Sequence, residues 1–65
     1  MKLTWTDATE VAWALIDAYP EADPLDLNFV DLHRMIVELP EFGDEPEASS
    51  ESILEAIVTA WNDQR

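Results

Sequence analysis

Four prolines, at positions 20, 24, 40 and 46, constrain the fold of this chain more than any other feature. A proline fixes its own φ, lacks the amide hydrogen that a helix needs, and biases the preceding residue out of the helical region. The prolines therefore leave three segments that can be helical, with acidic connections over residues 20–24 and 38–51. In all three segments the apolar residues recur at the three-and-four spacing of an amphipathic helix.

The first segment predicts a helix from about Asp7 to Ala18. Asp7 and Glu10 have the spacing of a capping box, in which an N-cap acceptor is followed three residues later by an acid. Trp13 falls between the two faces of this helix and is expected to be half covered, whereas Glu10 and Asp17 fall on the outer face. The predicted buried face consists of Ala8, Val11, Ala12, Leu15, Ile16 and Tyr19.

The second segment predicts a helix that ends at Leu39 or before, because Pro40 follows. Its apolar seam consists of Phe29, Leu32, Ile36 and Leu39. On the outer face Arg34 can pair with Asp31 or with Glu38, since each acid lies about one helical turn away.

The third segment predicts a helix that is capped by Ser49 or Ser50, with Glu51 in its first turn. The predicted buried stripe consists of Ile53, Leu54, Ile57, Val58 and Trp61. Beyond this stripe the polar residues 62–65 are expected to fray, as chain ends commonly do.

The connections complete the predicted architecture. Residues 20–24 predict a defined turn rather than a flexible tether, because each proline fixes its φ. Leu27 and Phe29 alternate around a polar residue, which predicts a short extended stretch that pairs with residues 3–5. Phe42 is expected to anchor the second connection to the core. The sequence thus predicts a single all-α domain over residues 1–65: a small three-helix helix-turn-helix domain with a minimal two-stranded β element.

Charge restricts the partners of such a domain. Fifteen acidic and three basic residues give a formal net charge of −12. Nucleic acid and anionic membrane surfaces would both repel this chain, so neither is expected as a partner. The same self-repulsion favours a monomer. The hydrophobic content of 48% argues against disorder, and the lack of cysteine is typical of a cytoplasmic protein.

No catalytic constellation can be identified, and enzyme activity is not expected. His33 is the only histidine and lies at the edge of the second helical seam, where a half-buried structural role outweighs that of a base or ligand. Trp5, Trp13 and Trp61 are interpreted as residues of the core and its rim rather than as a cofactor site. Tyr19 is expected to pack its ring while its hydroxyl stays in water. Carboxylates suit hard cations, but neither acidic connection shows a closed set of ligands.

Short motifs in a specific order cover nearly the whole chain. They are Leu3-Thr4-Trp5-Thr6-Asp7, Asp17-Ala18-Tyr19-Pro20, Asp23-Pro24, Phe29, Asp31, His33, Ile36, Leu39, Phe42, Asp44, Pro46, Ala48-Ser49, Ile53-Leu54-Glu55-Ala56-Ile57 and Trp61. Their joint order and spacing resemble the IscX family, also called YfhJ. Pro40 and Gly43 depart from the family, in which an acidic linker is common there. Val30 stands where a threonine cap would suit the second helix, so Asp31 is expected to take over as the cap.

This resemblance implies a winged-helix type of helix-turn-helix domain that belongs to the bacterial iron–sulphur cluster assembly system. It implies an adaptor or regulator that binds a basic surface of the cysteine desulfurase IscS, in competition with bacterial frataxin. It also implies weak iron binding, with no tightly bound cofactor. The implied partner-binding residues are Asp17, Tyr19, Glu21, Asp23, Asp31 and His33. The implied weak iron ligands are Asp17, Glu21 and Asp23.

Two other functions stay open at this point. One is an iron donor, for which metal coordination would be the primary task. The other is a generic acidic interaction domain, for instance a nucleic-acid mimic. Both share the acidic surface with the adaptor, and they differ from it in what the carboxylates contact.

Overall fold

Three α-helices make up the computed structural model of this protein, which describes residues 2–65. They are α1 (Ala8–Ala18), α2 (Phe29–Val37) and α3 (Glu51–Gln64), with a short 3-10 turn at Pro46–Ala48. α3 packs mainly against α1, and α2 packs against both of them. The three predicted helices and the all-helical class are therefore confirmed. We call residues 19–28 the first linker and residues 38–50 the second linker.

Different residues determine where α1 begins and which of its faces is buried. Val11, Ala12 and Leu15 are fully buried, as their spacing predicts, because they share one face of the helix. The predicted capping box is wrong. The Asp7 carboxylate accepts hydrogen bonds from the amide and the hydroxyl of Thr4, both at 3.1 Å, so it fixes the chain before α1 rather than the first helical amides.

α2 is capped by Asn28, whose Oδ1 accepts a hydrogen bond of 2.8 Å from the Asp31 amide. The expectation that Asp31 would be the cap is wrong, because Asn28 already has the extended backbone of an N-cap and its side chain reaches the third helical residue. Asp31 instead lies in the first turn and accepts a hydrogen bond of 3.2 Å from Arg34. The helix ends at Val37, before Pro40 as predicted.

α3 is capped by Ser50, whose Oγ accepts a hydrogen bond of 3.3 Å from the Ile53 amide. Leu54, Ile57 and Trp61 form its buried stripe. The helix continues through the polar residues to Gln64, and the Arg65 amide donates to the Trp61 carbonyl at 3.2 Å.

The predicted pairing of residues 3–5 with the first linker is also wrong. Leu3 forms a parallel bridge with Phe42, donating to the Glu41 carbonyl at 2.7 Å and accepting from the Gly43 amide at 2.8 Å. The reason is that Phe29, expected to be extended, is the first residue of α2. This isolated bridge is the only β pairing among residues 2–65, so the winged-helix type is not confirmed.

At Gly43 the second linker lies close to Lys2, beside this bridge. A Cβ at that position would lie 2.6 Å from the Cβ of Lys2, which is closer than two such atoms can come. An acidic side chain there would push the N-terminal segment away from the second linker. The close approach to Lys2 therefore favours glycine at position 43.

One hydrophobic core joins all of these elements. Its buried members are Leu3, Trp5, Val11, Ala12, Leu15, Leu32, Ile36, Leu39, Leu54, Ile57 and Trp61. Phe42 is partly buried and packs edge-on against Trp5, with the ring centroids 4.7 Å apart. Phe42 thus anchors the second linker, as predicted.

Candidate docking surface

The first linker is a sequence of tight turns that begins at the end of α1. Tyr19 ends the helix, and its carbonyl accepts a hydrogen bond of 3.1 Å from the Ala22 amide. The Asp23 carbonyl accepts from the Asp26 amide at 3.0 Å, while its Oδ1 accepts from the Leu25 amide at 3.0 Å. The predicted defined turn is therefore confirmed, and its hydrogen bonds are local.

The acidic side chains of this region face solvent. Asp17, in the last turns of α1, and Glu21, in the first linker, are both exposed. Tyr19 is partly buried and packs against the core, as predicted for its ring. Asp17, Tyr19 and Glu21 thus lie close in sequence at the end of α1, where the two acidic residues are exposed and Tyr19 packs against the core.

Asp23 differs from its neighbours because it has a basic partner. Its Oδ1 accepts a hydrogen bond of 3.1 Å from Arg65, and the two side chains are 41% and 39% exposed respectively. Sequence reasoning missed this ion pair because the two residues are 42 positions apart. The continuation of α3 to Gln64 is what brings Arg65 to the first linker.

Asp31 and His33 do not share a face of α2. Side chains two residues apart on a helix diverge, and these two have different partners. Asp31 lies on the outer face and pairs with Arg34. His33 stacks on Trp5, with ring centroids 5.4 Å apart and an interplanar angle of 21°. The six predicted partner-binding residues are therefore not one continuous set in the fold.

His33 is tied to the second linker. Its Nε2 lies 2.6 Å from the Pro46 carbonyl, and because a carbonyl oxygen can only accept, Nε2 carries the hydrogen. Beside it, Trp5 Nε1 donates to the Glu45 carbonyl at 2.5 Å. These contacts give His33 a structural role, as its place at the edge of the helical seam indicated.

Asp44 adds a third tie between the second linker and the N-terminal segment. Its Oδ2 accepts from the Trp5 amide at 3.2 Å, and its Oδ1 accepts from the Glu45 amide at 2.8 Å. One acid of this linker is thus a structural acceptor. Charge alone does not distinguish the acids of this linker, but Asp44 is the one among them that belongs to the motifs carrying the family resemblance.

The acidic and histidine side chains of residues 2–65 do not form a preorganised metal site. Among residues 2–65, no three acidic or histidine side chains lie close enough together to hold one ion. This applies to Asp17, Glu21 and Asp23, which the resemblance implied as weak iron ligands. The same part of the chain encloses no cavity. No helix within it is both long and apolar enough to cross a bilayer.

Two comparisons place the chain among known proteins. A family model described as iron–sulphur cluster assembly matches residues 3–65. A Pseudomonas aeruginosa protein, itself described as uncharacterized, is 54% identical over 65 residues, which cover 100% of this chain and 98% of that relative. The match extends through all three helices and both linkers.

Proposed function

Because this chain belongs to the iron–sulphur cluster assembly family, known as IscX or YfhJ, we propose that it is an acidic adaptor that docks on the cysteine desulfurase IscS. The observation that carries this proposal is the solvent-facing acidic group at the end of α1 and in the first linker, on a protein of net charge −12. Such a surface fits a basic patch. The adaptor itself is not catalytic: it modulates sulphur transfer or blocks access of competitors such as bacterial frataxin.

Electrostatics sets how such docking behaves. Long-range attraction between an acidic and a basic surface raises the association rate, and salt screens it over about 8–10 Å. Asp17 and Glu21 have no basic partner among residues 2–65, so their carboxylates are available to a protein partner. The Asp23 carboxylate must break its ion pair with Arg65 before it can pair with a basic residue of the partner. Asp31 and His33 have internal contacts and contribute less.

Iron takes part as a signal in this proposal. Since no three ligands are gathered among residues 2–65, an iron ion would contact few protein oxygens and bind weakly. Binding at Asp17, Glu21 or Asp23 would neutralise part of the docking surface and weaken docking. The lack of cysteine fits work in the cytoplasm, and the net charge of −12 favours a monomer.

A binding assay with purified cysteine desulfurase across a salt series tests the proposal. We expect binding at low salt that weakens as salt rises, and a loss of about tenfold or more for the double variant Glu21→Lys/Asp23→Lys. Glu47→Lys/Glu55→Lys is the matched control, because it makes the same charge change at two exposed acids elsewhere. No binding of the wild-type protein at low salt would overturn the proposal. Equal losses of affinity in the two double variants would show that the first linker is not part of the docking surface.

An iron titration tests the second part. The same double variant, Glu21→Lys/Asp23→Lys, is expected to bind Fe²⁺ more weakly than the control variant, and iron is expected to weaken desulfurase binding by the wild type. Tight iron binding at physiological salt, followed by transfer of the ion to a scaffold protein, would instead favour the iron donor.

A further inference from the structure

One of the three tryptophans is on the surface. Trp5 and Trp61 are 2% and 1% exposed, whereas Trp13 is 52% exposed. Among residues 2–65 no aromatic ring stacks on the Trp13 indole, and no acceptor is within hydrogen-bond distance of its Nε1. An indole combines a large apolar surface with a polar N–H, and tryptophan is for that reason enriched at protein interfaces.

Two carboxylates flank this ring. Glu10 lies three residues before Trp13 and Asp17 lies four residues after it, so all three share the outer face of α1. All three are exposed, and neither carboxylate has an ion pair within residues 2–65. We call Glu10, Trp13 and Asp17 the Trp13 face.

We propose that the Trp13 face binds an arginine side chain presented by the partner protein. The planar guanidinium would lie over the indole ring, while its N–H groups donate to Glu10 and Asp17. This inference deepens the proposed function and rests on it for the identity of the partner. It extends the docking surface from the first linker along the outer face of α1, with Asp17 belonging to both.

Charge selects this occupant over the alternatives. A second copy of the chain would bring another −12 charge and another pair of carboxylates against the first. A lysine would meet the carboxylates as a point charge, but it lacks the flat surface and the fork of donors that match a ring between two acids. Arginine is also enriched at the energetically dominant positions of protein interfaces, as tryptophan is.

The first test uses the desulfurase and the variant Trp13→Ala. We expect desulfurase binding to weaken about fivefold or more, with Trp13→Phe intermediate because a smaller ring still attracts a cation. Val30→Ala is the control, since Val30 is a 78% exposed apolar residue on α2 outside the Trp13 face. If Trp13→Ala binds as tightly as the wild type while Glu21→Lys/Asp23→Lys binds weakly, the inference is overturned and the proposed function stands.

The second test does not need the desulfurase. Two peptides of equal length and charge, one with arginines and one with lysines, are titrated into the wild-type protein and into Trp13→Ala. We expect a preference of about threefold for the arginine peptide in the wild type, and none in Trp13→Ala. A wild type that binds both peptides equally would overturn the inference, even if the desulfurase binds. An arginine preference that depends on Trp13 would support it, even if the desulfurase does not bind and the proposed function fails.

Discussion

The hydrogen bonds of the second linker join it to residues far away in sequence, whereas most hydrogen bonds of the first linker are formed within the linker. Trp5 contacts Asp44 and Glu45 across 39 and 40 positions. In the first linker, amides donate to carbonyl or carboxylate oxygens two or three positions away, and Arg65 supplies the one long-range ion pair. Both linkers are acidic and contain prolines, so their composition does not explain the difference.

The difference lies in hydrogen bonds to residues far away in sequence, because both linkers have apolar residues that pack against the core. The second linker carries Phe42, which packs on Trp5, and its Pro46 carbonyl accepts from His33. The first linker packs Tyr19, Ala22 and Leu27 against the core, but among residues 2–65 its one long-range hydrogen bond comes from Arg65 to Asp23. The backbone of the second linker is thus tied to distant residues, whereas the exposed carboxylate of Glu21 in the first linker has no partner within residues 2–65 and is available to another protein.

The variant Trp5→Ala should have the largest effect, because it removes the side chain on which the second linker packs. We expect it to lower the free energy of unfolding by about 3–5 kcal/mol. Since a small domain has little stability to lose, the variant should be largely unfolded. Urea unfolding followed by circular dichroism measures this. Trp13→Ala is the matched control, with an expected loss below about 1 kcal/mol, because Trp13 is half exposed. Equal losses in the two variants would contradict the comparison.

The variant Asp44→Ala should have the next largest effect. It removes the acceptor of two backbone amides, and we expect a loss of about 1–2 kcal/mol. Glu41→Ala changes the net charge equally but removes an exposed side chain, so it controls for relieved self-repulsion. Denaturant midpoints of the two variants give the difference. If both variants are as stable as the wild type, the carboxylate of Asp44 does not fix the linker.

The variant His33→Phe separates stacking from hydrogen bonding. A phenyl ring can still stack on Trp5, but it cannot donate to the Pro46 carbonyl, so we expect a loss of about 1 kcal/mol. The near-ultraviolet circular dichroism of Trp5 should change little. A variant as stable as the wild type would show that the hydrogen bond contributes nothing net.

The variant Arg65→Ala should have the smallest effect on stability. It breaks the ion pair between α3 and the first linker, yet exposed ion pairs contribute about 0–1 kcal/mol and the turn keeps its local hydrogen bonds. Arg34→Ala breaks the Arg34–Asp31 ion pair, which is also exposed, and should lower the midpoint of thermal unfolding by a similarly small amount. A large loss for Arg65→Ala alone would mean that the first linker also depends on a distant anchor.

The helices could be predicted from sequence because their causes are local. Proline positions, apolar spacing and Ser50 as a cap are visible in short windows of the chain, and each was confirmed. The contact of Leu3 with Phe42 was not visible, since it joins segments that no periodicity relates. The caps predicted at Asp7 and Asp31 were wrong because several polar residues near a helix start can compete for the same amides.

The candidate site could be predicted only in part. The exposed acids follow from their positions on an outer face and in a turn. The pairing of Asp23 with Arg65 depends on where the end of α3 arrives, and the stacking of His33 depends on the path of the N-terminal segment. Both are consequences of the tertiary arrangement, which the one sequence does not reveal.

The tie between Trp5 and the second linker has a consequence for synthesis of the chain. Trp5 is synthesised before its acceptors, which follow 39 and 40 positions later. At about 5–20 residues per second, the indole waits roughly 2–8 seconds for them. The N-terminal segment is thus synthesised before the residues that accept its hydrogen bonds. The hydrogen bonds of Trp5 therefore cannot form until the second linker has been synthesised.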